Sequence, residues 1–560
     1  MPNVPPGITL NDFDEVNCDE VSEYIKTISS YKSNFDIMPM KIFKLIIPHV
    51  IEPLTHVINL SLKTGIFPGF CKETRVTPIF KEGDKDDVDN YRPISILPVI
   101  AKCIEYFVGI QITNHMEQNN LFSSRQYGFR KNHSTTYLML DLFDEVYDSK
   151  SKFKKPAIIF LDIRKAFDTV HHEILITKLK HYGIGGTALI WISNFLHNRY
   201  QCTKVGKYIS TFLEILCGIP QGSILGPILF SIFINDLEMI CKLSIPYLFA
   251  DDGALLFKDT CRKSFMNLKI EIITVKKWLD VNKLSLNLGK DKTKLMVFDN
   301  TLECDKLIID NIVIEECKSK KYLGLIVDHK LNFSLHISYI KKKIGKRIGA
   351  MYRCKSLLPI KYRKMFANSL VLPIFDYLDI IYNKAAKTHL LDLDILYKKV
   401  AKIALDVPKT ESSIKVYKDM NWLPLHLRRQ LHLASYMYRI INDICPSNCM
   451  NKFQYVSGGT REGSNCNLYM KKSKTMKDFY YLGAKCWNIV PSHIRVTDEI
   501  KKFSKLYKAD LIKSVTSDLS YRINNGYEYM YKPSCIQIIL EPIDTETTAV
   551  LQGITTLFTA

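Results

Sequence analysis

The chain has 560 residues, 47% of them hydrophobic and 24% charged, a composition that excludes wholesale disorder and any collagen-like repeat. At about 150 residues per domain, that length makes room for about three to four structural units with real cores. Lys and Arg number 77 against 57 Asp and Glu, and the resulting charge of +20 leaves two readings: a polyanionic partner whose counterions are released on binding, or solubility alone.

The first ten residues, MPNVPPGITL, lack the basic region and apolar run of a secretory leader. With the 15 cysteines irregularly spaced, reduced thiols in an intracellular compartment are expected. Apolar runs such as Ile158–Ile163 and Ile224–Ile234 fall short of the ~20 residues of a membrane span, so none is predicted.

From Cys18 to Leu62 the apolar residues recur at three and four (Ile42, Leu45, Ile46, Val50, Leu54, Val57, Ile58, Leu62), which predicts helices ended by Gly65 and Pro68. Arg75–Phe80 reads as a short strand, and Lys81–Asn90, with five acids and two lysines, as a mobile, solvent-facing loop. Ala157–Asp162 (AIIFLD) predicts a strand buried on both faces, followed by a helix over His172–Tyr182. Ile245–Phe257 (IPYLFADDGALLF) has two apolar arms about Ala-Asp-Asp-Gly, the pattern of a β-hairpin with two carboxylates at its tip. Helix is predicted again over Lys263–Leu279 and strand over Leu295–Phe298; this mixed order points to α+β or α/β. After His336 the chain turns strongly helical, with Ile337, Ile340, Ile344, Ile348 and Met351 on one stripe. Beyond about Lys398 the segments are helical and carry no motif with evident chemistry.

Asp162 ends one strand, and Asp251 and Asp252 sit at the hairpin tip. If these elements are neighbours in one sheet, three carboxylates converge. Such a cluster suits two Mg²⁺ ions, with Mn²⁺ as the alternative hard cation, placed for in-line phosphoryl transfer. In isolation Asp-Asp-Gly is an ordinary turn, but between apolar arms two like charges need a counter-charge.

These residues belong to a longer ordered set: NLSLKTGIFPGFCKETRVTPIFKEGDKDDVDNYRPISILPVIAKCIE, RQYGFRKNHST, FLDIRKAFDTVHHEIL, GIPQGSILGPILFSIFINDL, FADDGALLF, NKLSLNL, KYLGLIVD and FYYLGAKCWNIVPSHIR. Together, over roughly Ile42–Lys508, the chain resembles the reverse transcriptases of non-LTR (LINE-type) retrotransposons, especially the jockey-like elements of animals. The resemblance implies an α+β, right-hand polymerase fold with an antiparallel palm sheet, in which Asp162, Asp251 and Asp252 are the catalytic, metal-holding residues. It implies a helical N-terminal extension (1–70), fingers (71–150), a palm with part of the fingers (151–328), a basic helical thumb (329–400) and a C-terminal helical region (401–522). The tail 523–560 matches nothing.

By the same resemblance Phe167, five residues after Asp162, is the aromatic gate that leaves no room for a 2′-hydroxyl. Alone it would read as a packed core aromatic. Gly218–Gly222 matches the loop that contacts template and nucleotide, with Gln221 and Gly222 as substrate-binding residues, and Lys81 and Arg92 match the clamp on the triphosphate. Arg130, in the GFR segment, is a candidate template contact. Lys341–Lys364 carries ten basic residues and no acid, so Lys341, Lys342, Lys343, Lys346 and Arg347 are candidate contacts to a nucleic-acid backbone. His171-His172-Glu173 and Cys445…Cys449 with Cys466 lack metal-ligand spacing and are set aside.

Ser29–Ile37 lacks the Pro and Gly residues usual in relatives, and NLGKDKTK is longer than their Asn-x-x-Lys-Thr spacing, leaving Lys290, Lys292 and Lys294 as alternatives for one role. The expected function is an RNA-directed DNA polymerase with template RNA, DNA primer and dNTPs as partners and no membrane, in an intracellular ribonucleoprotein whose nuclear or cytoplasmic residence is not resolved. About seventy residues precede the fingers, so endonuclease activity is expected to come from elsewhere. The alternatives are a truncated, non-catalytic nucleic-acid-binding remnant and a scaffold that uses its C-terminal helices for protein contacts.

Overall fold

The computed structural model describes residues 4–28, 39–81, 83–260, 265–289, 291–298, 307–309, 312–446, 449, 452–453, 467–468 and 479–516. Ser29–Ile37, Lys290, Cys466 and the tail 523–560 lie outside them. The chain divides into two compact units, Met1–Leu138 with Lys154–Cys317, and Met139–Phe153 with Lys318–Ala560.

The first unit runs α1 (Cys18–Thr27), α2 (Met40–Thr64), β1 (Glu73–Phe80), β2 (Tyr91–Ile96), α3 (Val99–Gln118), the start of α4 (Thr135–Ser151) and β3 (Ala157–Asp162). It continues with α5 (His172–His181), α6 (Gly186–Leu196), β4 (Arg199–Val205), β5 (Tyr208–Ile209), β6 (Leu213–Ile215), α7 (Leu225–Phe233), α8 (Leu237–Ile240), β7 (Ile245–Phe249), β8 (Asp252–Phe257), α9 (Phe265–Val281), β9 (Lys294–Val297), β10 (Leu307–Ile309) and β11 (Ile312–Ile314).

Four of these strands form an antiparallel sheet in the order β7-β8-β3-β9. The expectation of a doubly buried strand at AIIFLD holds: Ala157 to Leu161 are all buried, with Ala157, Ile159 and Leu161 in the main hydrophobic core. A second sheet, β2-β1-β4-β5 with β6 beside β4, is mixed, since β1 runs parallel to β4 and antiparallel to β2.

Helix α2 departs from the reading of the sequence in two ways. Its core stripe is Ile47, Leu54, Ile58 and Leu62, while Ile42, Leu45 and Val57, expected on that stripe, face outward, Leu45 at 76% exposure. A helix has room for one apolar stripe against α1, α3 and α6, and these three residues fall off its phase. The 25 residues of α2 are also long and apolar enough, by length and composition, to cross a membrane, contrary to the expectation that no segment would be. Here Trp191 Nε1 donates to the hydroxyl of Ser61 on its buried side (2.9 Å), and Asn59 exchanges two hydrogen bonds with the backbone of Val16.

The second unit holds the rest of α4, the hairpin β12 (Ser319–Tyr322) and β13 (Leu325–Asp328), then helices: α10 (Ser334–Arg353), α11 (Ile360–Phe366), α12 (Leu372–Asp376), α13 (Asp379–Tyr382), α14 (Lys387–Leu405), α15 (Ser413–Met420), α16 (Leu425–Ile441), α17 (Phe479–Ile489), α18 (Ser492–Arg495) and α19 (Ile500–Thr516). On α10 the stripe read from the sequence is the buried one, Ile337, Ile340, Ile344, Ile348 and Met351.

Candidate active site

Strands β3 and β8 pair with Asp162 opposite Asp252, so the carboxylates placed at the end of a strand and at a hairpin tip stand on neighbouring strands. Opposed residues on antiparallel strands have Cα atoms about 4.5–5.5 Å apart. The hairpin closes through two residues, Ala250 and Asp251, between the register partners Phe249 and Asp252. Ala250 sits at φ +55°, a left-handed conformation that costs an alanine of order 1 kcal/mol.

The tight turn is held from outside. The backbone of Tyr127 donates to Leu248 and that of Leu248 to Arg125, so 125–127 runs along β7, and Gln126 Oε1 accepts from the backbone N–H groups of Gly128 (2.8 Å) and Ala250 (3.4 Å). A side chain at Gly128 would come within 2.6 Å of the Ala250 nitrogen. Gln126 and Gly128 thus support the Ala250–Asp251 turn, a role that reading RQYGFR as a motif did not assign.

Burial raises the Asp252 carboxyl from 3.8 to about 6, with Asp251 and then Asp162 adding like-charge repulsion; Lys81 and Arg92 pull the other way. Asp251 is raised as well, by burial first and by Asp162, against a backbone hydrogen bond and the pull of Arg92 and Lys81. The geometry behind those two cations is direct. The backbone of Lys81 donates to Asn90 (2.9 Å) at the loop end of the β1–β2 hairpin, and Arg92 lies opposite Ile79 in that ladder. Lys81 and Arg92, read from the sequence as a pair, therefore bear on the same carboxylates. Two cations do not offset three carboxylates, and both Asp251 and Asp252 remain open to solvent on one side. This excess of hard oxygen ligands fits a divalent cation.

The loop 217–223 is tied to residues 167–170, just after Asp162 in the chain, and to β2. Gly218 donates to the carbonyl of Val170 and Ile219 to that of Phe167 (both 2.8 Å), while Gln221 accepts from the backbone of Ser95 on β2 (2.7 Å) and donates through Nε2 to Asp168 (2.9 Å). Gly218 and Gly222 both require positive φ, +89° and +107°, and a Cβ on either would strike the backbone oxygen of Asp168 or Ser95 at 2.6 and 2.8 Å. His172, set aside as a metal ligand, uses Nε2 to bond the carbonyl of Gly218 (2.8 Å). Phe167 is half-buried and stacks on Phe230 with ring centroids 4.7 Å apart.

Three of the expected nucleic-acid contacts, Arg130, Lys341 and Lys343, are engaged within the protein. Arg130 is committed within the protein: it forms a fork on Glu117 (2.8 and 2.7 Å), reaches the carbonyls of Ser123 and Gln126, and has a side chain only 11% exposed. A guanidinium with its donors used inside the fold is not presented to a template. On α10, Lys341, Lys342, Lys343, Lys346 and Arg347 are all exposed, as expected. However, Lys341 is paired with Asp392 (2.7 Å) and Lys343 lies over the ring of Tyr339, and of the later cations Lys355 and Arg363 both bind Asp406. Lys294 is likewise taken up, buried on β9 and paired with Asp291 and Glu315.

A further group of metal-type ligands drawn within 4.8 Å of one another lies in the second unit: Asp376, Asp379 and His432. Both oxygens of Asp376 are held by Arg428 and Asp379 by His432 Nδ1, all at 2.6 Å, which describes an ion-pair network.

Residues 80–327 match the family model described as reverse transcriptase (RNA-dependent DNA polymerase). That segment contains Asp162, Asp251, Asp252, Lys81, Arg92, Phe167 and the glycine loop. Among curated proteins the chain is 28% identical over 401 residues to the RNA-directed DNA polymerase from mobile element jockey of Drosophila funebris, covering 69% of this chain and 43% of that protein. It is 26% identical over 439 residues to the protein of the same description from Drosophila melanogaster (76% and 48% covered). The probable RNA-directed DNA polymerase from transposon X-element of Drosophila melanogaster is 24% identical over 440 residues (75% and 47%). The chain is thus similar to the reverse transcriptases of jockey-like, LINE-type elements, and it spans less than half the length of these relatives.

Proposed function

We propose that this chain is an RNA-directed DNA polymerase that joins a deoxynucleotide to the 3′-hydroxyl of a DNA primer on an RNA template. The observation that carries this reading is the β3–β8 register, which sets Asp162 against Asp252 with Asp251 in the adjoining turn, faced by Lys81 and Arg92. In this reading the antiparallel sheet is the palm, β1 and β2 belong to the fingers, and α10 lies in the thumb. Asp162 and Asp251 would hold two Mg²⁺ ions, with Asp252 assisting electrostatically. When bound, these ions lower the pKa of the attacking hydroxyl and neutralise the leaving pyrophosphate. Arg92 offers a planar fork and Lys81 a point charge to the triphosphate, and Gln221 sets the nucleotide against the template. Extension of oligo(dT) on poly(rA) with Mg²⁺ tests the proposal; a purified wild-type chain that binds this duplex and adds no nucleotide defeats it.

The raised carboxyls give a pH test of cation binding. The folded pKa of Asp252, about 6, exceeds its ordinary 3.8. Its contribution to stability is therefore present at low pH and lost as pH rises through that interval. A divalent ion binds the deprotonated cluster and reverses the loss. At about ten times the dissociation constant of Mg²⁺ the stabilisation is about 1.4 kcal/mol, roughly two degrees in Tm. The shift should appear at pH 7.5, shrink at pH 5, and vanish in an Asp251→Ala, Asp252→Ala double variant, as read by thermal unfolding. The same Mg²⁺ shift in that variant would remove the carboxylates from the cation site.

The exposed face of α10 is proposed to contact phosphates of the primer–template. Reversing Lys342, Lys346 and Arg347 to Glu should weaken binding of an RNA–DNA duplex and flatten its salt dependence by roughly 0.9 in log Kd per log salt for each phosphate no longer neutralised. Filter binding across a salt series reads it, and an unchanged slope assigns these cations to solubility.

A further inference from the structure

Glu105 stands on α3, inside a run that reads as ordinary helix, and is entirely buried. Its Oε2 accepts three hydrogen bonds from the far side of the glycine loop: from the Ser223 hydroxyl (2.7 Å), from the Ile224 N–H (2.7 Å) and, longer, from the Leu225 N–H (3.4 Å). These are donors at the N-terminus of α7, a helix that receives no side-chain cap from its own N-cap residue, Ile224. The cap arrives instead from 118 residues earlier in the chain. Among the described residues Oε1 has no hydrogen-bond partner; burial pushes the Glu105 carboxyl up, while the Ser223 hydroxyl, Arg199 and the two backbone N–H groups pull it back down.

A buried carboxylate is an expensive way to end a helix, because an apolar replacement of a buried charge pair is often neutral or stabilising. What this one does is fix geometry. Ser223 follows Gly222 directly, and the same loop is tied at Gln221 to β2, at Ile219 to Phe167 and at Gly218 to Val170. The tie on Glu105 holds its C-terminal end; without it three buried donors lose their acceptor and the loop is fastened from one side only.

We propose that Glu105 is a positioning residue for nucleotide selection, acting through Ser223 and the head of α7 to fix the height of Gln221, Gly222 and the Phe167 carbonyl beside the carboxylates. The inference rests on the polymerase reading, and one arm of its test does not depend on activity. In the full chain, Glu105→Ala should speed hydrogen exchange in peptides covering 217–226. It should also raise KM for dNTP about tenfold with a smaller change in kcat, lower the preference for dNTP over rNTP, and leave duplex Kd unchanged. Glu105→Gln keeps an acceptor oxygen at the position of Oε2 and should restore most of each value; Ser223→Ala removes one donor and should move each part of the way. Should Glu105→Ala not fold, the Gln and Ser223→Ala variants carry the same comparison. Unchanged exchange in this segment, or faster exchange with KM and sugar preference untouched, overturns the proposal. A wild type that synthesises no DNA sinks the polymerase reading instead, and exchange alone then decides whether Glu105 holds the loop.

Discussion

Substituting Asp251 with asparagine is expected to lower the rate of single-nucleotide incorporation on poly(rA)/oligo(dT) by roughly a thousandfold, a loss of about 4 kcal/mol in transition-state stabilisation. The change keeps the size and shape of the side chain and removes one charge. Stability should move the other way. Burial and two neighbouring carboxylates disfavour the charged form of Asp252, and removing the nearer of them relieves repulsion in the cation-free protein. The expected signature is therefore a folded variant with a thermal midpoint at or above wild type and almost no synthesis. A pair of aspartates that merely turned the hairpin would give the opposite: a lower midpoint with synthesis intact. Incorporation rates and thermal unfolding, measured on the same preparations, separate the two.

The parts of this site that were legible in the sequence are those set by short-range pattern. The apolar run ending at Asp162 and the two arms about Ala-Asp-Asp-Gly declare a buried strand and a hairpin by periodicity alone, and the register then sets the carboxylates together. The stripe on α10 is of the same kind. What was not legible depends on partners far along the chain or on which of several faces finds the core. Nothing local says that Arg130 will meet Glu117 rather than a template, since the pairing follows from how the turn after α3 folds back. In α2 the residues at three and four offer more than one apolar stripe, and only packing against α1, α3 and α6 chooses Ile47 over Leu45. Gln126, His172 and Glu105 were hidden for a related reason. Each serves a backbone group, in the Ala250–Asp251 turn or the glycine loop, that the sequence gives no means of pairing with it.

Phe167 is where the core reading and the functional reading make different predictions about one variant. Its ring stacks on Phe230 and borders the main core of the first unit, which alone explains an aromatic there. Yet its carbonyl accepts from Ile219 in the glycine loop, it follows five residues after Asp162, and its ring is not fully covered, so in the proposed reading that exposed part faces the nucleotide. Phe167→Val removes the outer ring atoms while keeping a branched apolar side chain on Phe230. If the ring excludes a 2′-hydroxyl, the ratio of kcat/KM for dNTP over rNTP should fall roughly 10- to 100-fold, the 1–3 kcal/mol that a steric pocket of this size supplies. The fall should come mainly from a gain in ribonucleotide use rather than a loss of deoxynucleotide use, because the clash is relieved for one substrate and absent for the other. A residue that only packs would instead lower the thermal midpoint and scale both substrates together, leaving the ratio where it was; single-turnover incorporation of each nucleotide on one duplex decides between them.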